Sequence, residues 1–163
     1  MKHLPLYFFL SLCSTLSAQD NRFLPSVQGE LIEHQNYYID YNERTEQANW
    51  VAYELKSSEL NGPFERKDDF RIDPKVATSS ATLSDYKRSG YDRGHLAPAK
   101  AMSFSKETMS ESFYMSNMSP QKPSFNRGIW KKLEEQVRSW IHISDSLYVV
   151  TGPVLDNELG SIG

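Results

Sequence analysis

Asp92-Arg93-Gly94-His95-Leu96-Ala97-Pro98, followed about thirty residues later by Phe125-Asn126-Arg127-Gly128-Ile129-Trp130-Lys131-Lys132-Leu133-Glu134, are the two segments around which this chain organises itself. The first reads as a short strand, Tyr91 to Leu96, leaving through the stiff Ala97-Pro98 pair. The second opens the clearest helix in the sequence. Ile129, Trp130, Leu133, Val137, Trp140 and Ile141 recur at offsets 0, 1, 4, 8, 11 and 12, a 3.6-residue apolar stripe. Gly128 sits near its start. Pro120 and Pro123 between the segments predict a loop over 119–125.

Outward from this pair the pattern is mostly strands. Leu31 to Ile39 and Trp50 to Leu55 read as strands, with Val51, Tyr53 and Leu55 on one face by period two. The polar run 42–49 suits the loop between them, and Asn61-Gly62-Pro63 is a turn signal. Residues 65–90 read as a long surface loop with a short helix near 83–87, and loops of that length are often functional. Ser105 is placed to cap a short helix through Ser110. Phe113 to Ser116 suits a strand, and Leu147 to Thr151 another, ending in Gly152-Pro153. The sum predicts an α+β fold with a mixed or antiparallel sheet.

The chemistry concentrates on the same two segments. His95 can take a proton from water near neutral pH, and Arg93 beside it can bind a phosphate oxygen. Gly94 allows close approach of a ligand or an unusual φ. Asn126 offers an amide oxygen to a hard cation, and Mg²⁺ keeps most of its waters and takes few protein ligands. Glu134 lies two turns up the helix, about 80° around, within reach of such a water shell. Each residue also has an ordinary role: a packed histidine, an asparagine N-cap, a solvent-facing helix carboxylate. The combination carries the information.

Composition bounds the rest. With 163 residues, 39% hydrophobic and 12% aromatic, the chain has the material for one packed domain and is not a disordered tail. No apolar run reaches the roughly 18 residues of a membrane span. Lys2 and His3 ahead of the apolar run Leu4–Leu16, then Ser17-Ala18, predict a signal peptide over 1–18 and an exported product, secreted or periplasmic. Cys13 is the single cysteine and falls in that leader, so residues 19–163 form no intrachain disulfide. The formal net charge is −3, yet residues 86–138 carry ten Lys and Arg against five Asp and Glu. That basic middle suits a local anionic-ligand site rather than a uniform coat for nucleic acid.

DRGHLAP, then Asn117-Met-Ser-Pro-Gln121, then FNRGIWKKLE, resembles the DNA/RNA non-specific endonuclease family, whose site is a ββα-metal finger. Trp50–Leu55, Arg66 through Asp73-Pro74, and Val149-Val-Thr-Gly-Pro153 extend the likeness over roughly residues 30–163. The resemblance implies a metal-dependent nuclease acting on DNA and RNA, with a Mg²⁺ or Mn²⁺ cofactor and 5′-phosphate products. By position it makes His95 the general base, Asn126 the metal ligand, Arg93 a phosphate contact, and Glu134 the holder of the metal's waters. Asn117 supports the site. Arg66 is the second phosphate-contacting arginine, although Lys67 adjoins it. Asp92 belongs to the motif without a chemical step. The family's domain runs on past the Thr-Gly-Pro turn, so the resemblance also predicts an incomplete C-terminus to the domain 19–163 and an open sheet edge. Two alternatives stay open on the residues: a phosphodiesterase acting on smaller esters, and a non-catalytic nucleic-acid-binding module.

Overall fold

The computed structural model describes residues 23–156, 158 and 160–163; the expected leader 1–18, Cys13 included, lies outside the described residues. Alternating apolar residues build an antiparallel sheet of β1 (Glu30–Glu33), β2 (Tyr38–Asn42), β3 (Gln47–Lys56) and, from the far end of the chain, β6 (Ser146–Thr151), in the order β1-β2-β3-β6. A separate antiparallel ribbon pairs β4 (Asp92–His95) with β5 (Met118–Gln121). The helices are short until the last: α1 (Leu83–Tyr86), α2 (Lys106–Glu111), α3 (Pro123–Phe125) and α4 (Lys131–Trp140). The fold is α+β on an antiparallel sheet core.

The expected strand 31–39 is two strands. His34 and Tyr37 close a tight turn, His34 N donating to Tyr37 O at 2.9 Å. β3 is buried on both faces. Val51, Tyr53 and Leu55 enter the main core with Ile39, Leu96 and Met102, while Trp50 and Ala52 pack with Tyr38 and Leu24 on the other side. Leu147 and Val149 of β6 join the first face, and Tyr148 and Val150, on the second, are partly exposed.

Two expectations are corrected. Phe113–Ser116 is not a strand: Phe113 N bonds Ser110 O, Tyr114 N bonds Glu111 O and Asn117 N bonds Tyr114 O, a run of turns. Residues 119–125 are not a loop, because Ser119–Gln121 pair with β4 and Pro123–Phe125 begin the helical run. Pro120 faces Arg93 in a two-stranded ribbon, whose outer side asks for no ladder donor.

The helical run is interrupted. Asn126–Trp130 forms a π-type stretch with Gly128 at φ −104°, ψ −106°, and regular α-helix resumes at Lys131. Val137 and Ile141 from the predicted stripe reach the main core, whereas Ile129, Leu133 and Trp140 stay largely exposed.

The long loop is fixed rather than loose. Arg71 donates to Ser110 O and to Ser110 Oγ, each at 2.9 Å, and its guanidinium lies over Tyr114. Asp73 is buried, bonded to His34 Nε2 at 2.9 Å and accepting from Ser116 Oγ. Burial pushes the Asp73 carboxyl up, but these bonds outweigh it and hold the group below its ordinary range.

Candidate active site

β4 delivers Arg93 and His95 as its second and fourth residues, and the segment after the strand is locked in place. Asn117, wholly buried, accepts from Ala97 N (2.8 Å) and donates to Ala97 O (3.0 Å) and Ser112 O (2.8 Å). Its own carbonyl accepts from Leu96 N, and Thr151 Oγ1 donates to Leu96 O. The residues just past His95 are thereby tied to the start of β5 and to the end of β6. Trp130 Nε1 donates to His95 O at 3.1 Å, fixing the helical run against the same strand. Gly94 is small for a different reason from the one its sequence context implies. Its φ is not left-handed, and a Cβ there would fall 2.2 Å from Gln121 Cδ, so it makes room for a protein side chain, not for a ligand.

Beside this ribbon lies a cavity of about 1230 Å³ whose walls include Arg66, Arg93, His95, Asn126 and Glu134. Five of the six expected site residues are therefore brought together. Asn117 does not line the cavity; it is buried and bonded to Ala97, in the segment just past His95. Of the adjacent pair 66 and 67, it is Arg66 that faces the cavity.

Aromatic rings frame the basic groups. Arg93 lies over Phe70 at 4.2 Å and Arg66 over Phe113 at 5.0 Å. Phe113 meets the His95 ring edge-on at 5.0 Å. Burial, then Arg66 and Arg93, push the His95 imidazole down to about 3, so it is neutral at physiological pH. His95 Nε2 is buried without a hydrogen-bond partner among the described residues. A polar atom in that state at a cavity wall is a seat for a water or a reacting group. Burial also pushes the Glu134 carboxyl up to about 7, against the opposing pull of Arg138 and Arg66.

Asn126 sits at the start of the π-type stretch. Its Nδ2 donates to Asp92 Oδ2 at 3.0 Å. Asp92 also takes two bonds from Arg127, Nε to Oδ2 at 2.8 Å and Nη2 to Oδ1 at 2.7 Å, and Arg127 foremost holds its carboxyl below the ordinary range. No protein group bonds Asn126 Oδ1 among the described residues. An unpartnered amide oxygen with a carboxylate on the same cavity is a hard-oxygen donor set, which fits a hydrated divalent cation. Among the described residues no three His, Cys, Asp or Glu side chains cluster, so such a cation would keep a mainly aqueous shell here.

Sequence reasoning passed over several of the walls. Arg138 lines the cavity, one helical step of four from Glu134, and its Nη1 is buried without a partner among the described residues. That i,i+4 spacing was a readable signal. Lys87 and Lys100 also face the cavity. Phe70 and Phe113 had no local signal at all, because their contacts with Arg93 and His95 come from the tertiary fold.

Comparison with known proteins gives relatives for the chain as a whole. A family model described as DNA/RNA non-specific endonuclease matches residues 16–163. The chain is 40% identical over 127 residues to human "Endonuclease G, mitochondrial", covering 77% of this chain and 43% of that protein. It is 38% identical over 144 residues to a nuclease of Syncephalastrum racemosum, covering 85% of this chain and 45% of that one. A chain of the crystal structure of the EndoG/EndoGI complex superposes with a TM-score of 0.72 at 31% identity, over 82% of this chain and 58% of that chain. The chain thus spans about half the length of the curated relatives it matches.

Proposed function

The chain belongs to the DNA/RNA non-specific endonuclease family, and from that membership we propose that it hydrolyses phosphodiester bonds in DNA and RNA, without reading base or sugar, with Mg²⁺ or Mn²⁺ as cofactor. One observation carries the reading. A neutral histidine with an unpartnered ring nitrogen stands with Arg66 and Arg93 on the wall of a cavity that also holds Asn126 and Glu134. Seven Lys and Arg on the cavity walls are more than one phosphodiester needs, which favours a polyanion over a small ester.

Each residue then has a task. The phosphate settles against Arg66 and Arg93, which take up charge growing on its non-bridging oxygens. His95 removes a proton from a water, the water oxygen bonds to phosphorus in line, and the bond to the 3′ oxygen breaks. The 3′ oxygen takes a proton from solvent, leaving a 5′-phosphate and a 3′-hydroxyl. Asn126 Oδ1 would hold the cation and Glu134 its waters. Bound there, the cation would supply neutralisation of charge on the phosphate and on the departing oxygen. His95 is unprotonated at neutral pH and so can accept a proton, although burial foremost, and the two arginines after it, hold its basicity down. A phosphate seated on the two arginines would offset the part of that depression that comes from their charge, so its basicity would rise when substrate arrives. Contacts to phosphate carry no sequence information, which is the physical content of non-specific cleavage. Export through the leader 1–18 is part of the same proposal.

The test is digestion of plasmid and RNA by the protein, with Mg²⁺ or with EDTA, beside His95→Ala, with circular dichroism on each sample. Both substrates should be lost only with the cation, and the variant should be slower by about 10²–10⁴-fold. Full activity of folded His95→Ala would remove His95 as the base. A folded wild type that binds both polymers and cuts neither would make this a binding module.

A further inference from the structure

Within the nuclease reading above, on which this step rests, we infer that Asp92 is a positioning residue that sets which end of the Asn126 side-chain amide faces the cation, and that Arg127 holds Asp92 in place to do so. An asparagine amide has a donor end and an acceptor end of nearly equal size, and rotation by half a turn exchanges them. Only the acceptor end can bind a cation. Asp92 removes the choice. Its ionised carboxylate can accept hydrogen bonds but not donate them, so only the NH₂ of Asn126 can face it, as it does at 3.0 Å. The carbonyl oxygen is left pointing elsewhere, free of protein partners among the described residues.

Asp92 alone would be a loose guide, because a carboxylate can rotate and exchange its oxygens. The Arg127 guanidinium occupies both of them, Nε on Oδ2 and Nη2 on Oδ1. This fork-on-fork geometry fixes the carboxylate plane. Arg127 follows Asn126 directly in sequence, so donor and clamp come from the same short stretch of backbone. Backbone register fixes the other side: β4 opens with Asp92, paired with Gln121 of β5, and the helical run begins just past that strand. The first residue of Asp-Arg-Gly-His thus acquires a role distinct from those of Arg93 and His95. It acts through Asn126, to which it is bonded.

The experiment measures Mn²⁺ binding by electron paramagnetic resonance, with no nucleic acid present, so turnover does not enter. Asp92→Asn keeps the shape but presents a donor as well as an acceptor, and it loses the ionic grip of Arg127. Its Mn²⁺ affinity should fall by about 10-fold or more, in the range for residues behind a metal ligand. Arg127→Gln, at an exposed position, should fall in the same direction by less. The double variant Asp92→Asn with Asn126→Asp exchanges donor and acceptor across the same contact, and should recover most of the affinity lost by Asp92→Asn alone. A carboxylate at 126 binds a cation more strongly by its charge alone, so the recovery is read in a cycle with Asn126→Asp by itself. Orientation predicts that Asp92→Asn costs little on that background, where both ends of residue 126 accept. A merely structural role predicts the same loss on both backgrounds. Wild type that binds Mn²⁺ beside folded Asp92→Asn that binds it equally overturns this inference and leaves the nuclease reading intact. Should Asp92→Asn fail to fold, equal affinity in Arg127→Gln together with no binding by the folded double variant overturns it instead. Wild type that binds no Mn²⁺ yet cuts DNA in EDTA overturns the metal part of the nuclease reading, and this inference with it.

Discussion

Removing water from His95 and from Glu134 moves their titrations in opposite directions, because one ionises to a cation and the other to an anion. The imidazole is brought down to about 3 and the carboxyl up to about 7. Between about pH 3 and its ordinary 6.5, folded His95 binds fewer protons than the unfolded chain, so its contribution to stability rises with pH. Between its ordinary 4.5 and about 7, folded Glu134 binds more protons than the unfolded chain, so its contribution falls as pH rises. From about pH 4.5 to 6.5 the two slopes oppose each other. Glu134→Gln removes one of them. In EDTA, urea unfolding of that variant should show stability falling with acid across this window by up to about 1.4 kcal/mol per pH unit. The wild type should change much less over the same range. Parallel curves for the two proteins would mean that the groups are not displaced as described.

At the scale of elements, Asn117 shows how the site is held. It is wholly buried and spends its amide on Ala97 and Ser112. Asn117→Ala should cost about 2–3 kcal/mol, since buried backbone groups lose their partners. It should also lower kcat more than it raises KM, because Asn117 holds Leu96 and Ala97, nearest to His95, while Arg93 lies two residues further back along β4 and Arg66 on a separate segment. Denaturant midpoints and steady-state rates together check this, and a stability loss with kcat unchanged would leave Asn117 a packing residue only. The same element marks where sequence reading succeeded and where it stopped. Val51, Tyr53 and Leu55 announced their shared face, and Ser105 its cap, accepting from Thr108 N at 3.0 Å, because those signals are local. Arg93, His95, Asn126 and Glu134 each had a readable chemical role, and the family resemblance joined them into the set that lines one cavity. Pro120 misled, since its cost in a strand depends on which side of the ribbon it occupies. The bond from His34 to Asp73 spans 39 residues and leaves no local trace. The Phe70 and Phe113 contacts depend on the same kind of long-range meeting.

At the scale of the molecule, the charge is distributed against its own average. The chain carries −3 overall, yet the cavity walls hold seven Lys and Arg against four Asp and Glu. Binding should therefore be local and strongly dependent on salt, because each neutralised phosphate releases condensed counterions. The logarithm of affinity should fall linearly with the logarithm of salt concentration, by about 0.7–0.9 per phosphate contacted. Lys87 and Lys100 sit on the cavity wall outside the groups given to the chemistry. Neutralising both, as Lys87→Gln with Lys100→Gln, should flatten the slope by roughly one to two units while binding stays indifferent to sequence. Fluorescence anisotropy with labelled oligonucleotides of unrelated sequence, in EDTA and on the His95→Ala background, measures this without cleavage. An unchanged slope would place the polymer elsewhere on the surface. A slope that differs between sequences would mean that base edges are being read, and that phosphate contacts alone do not account for the recognition.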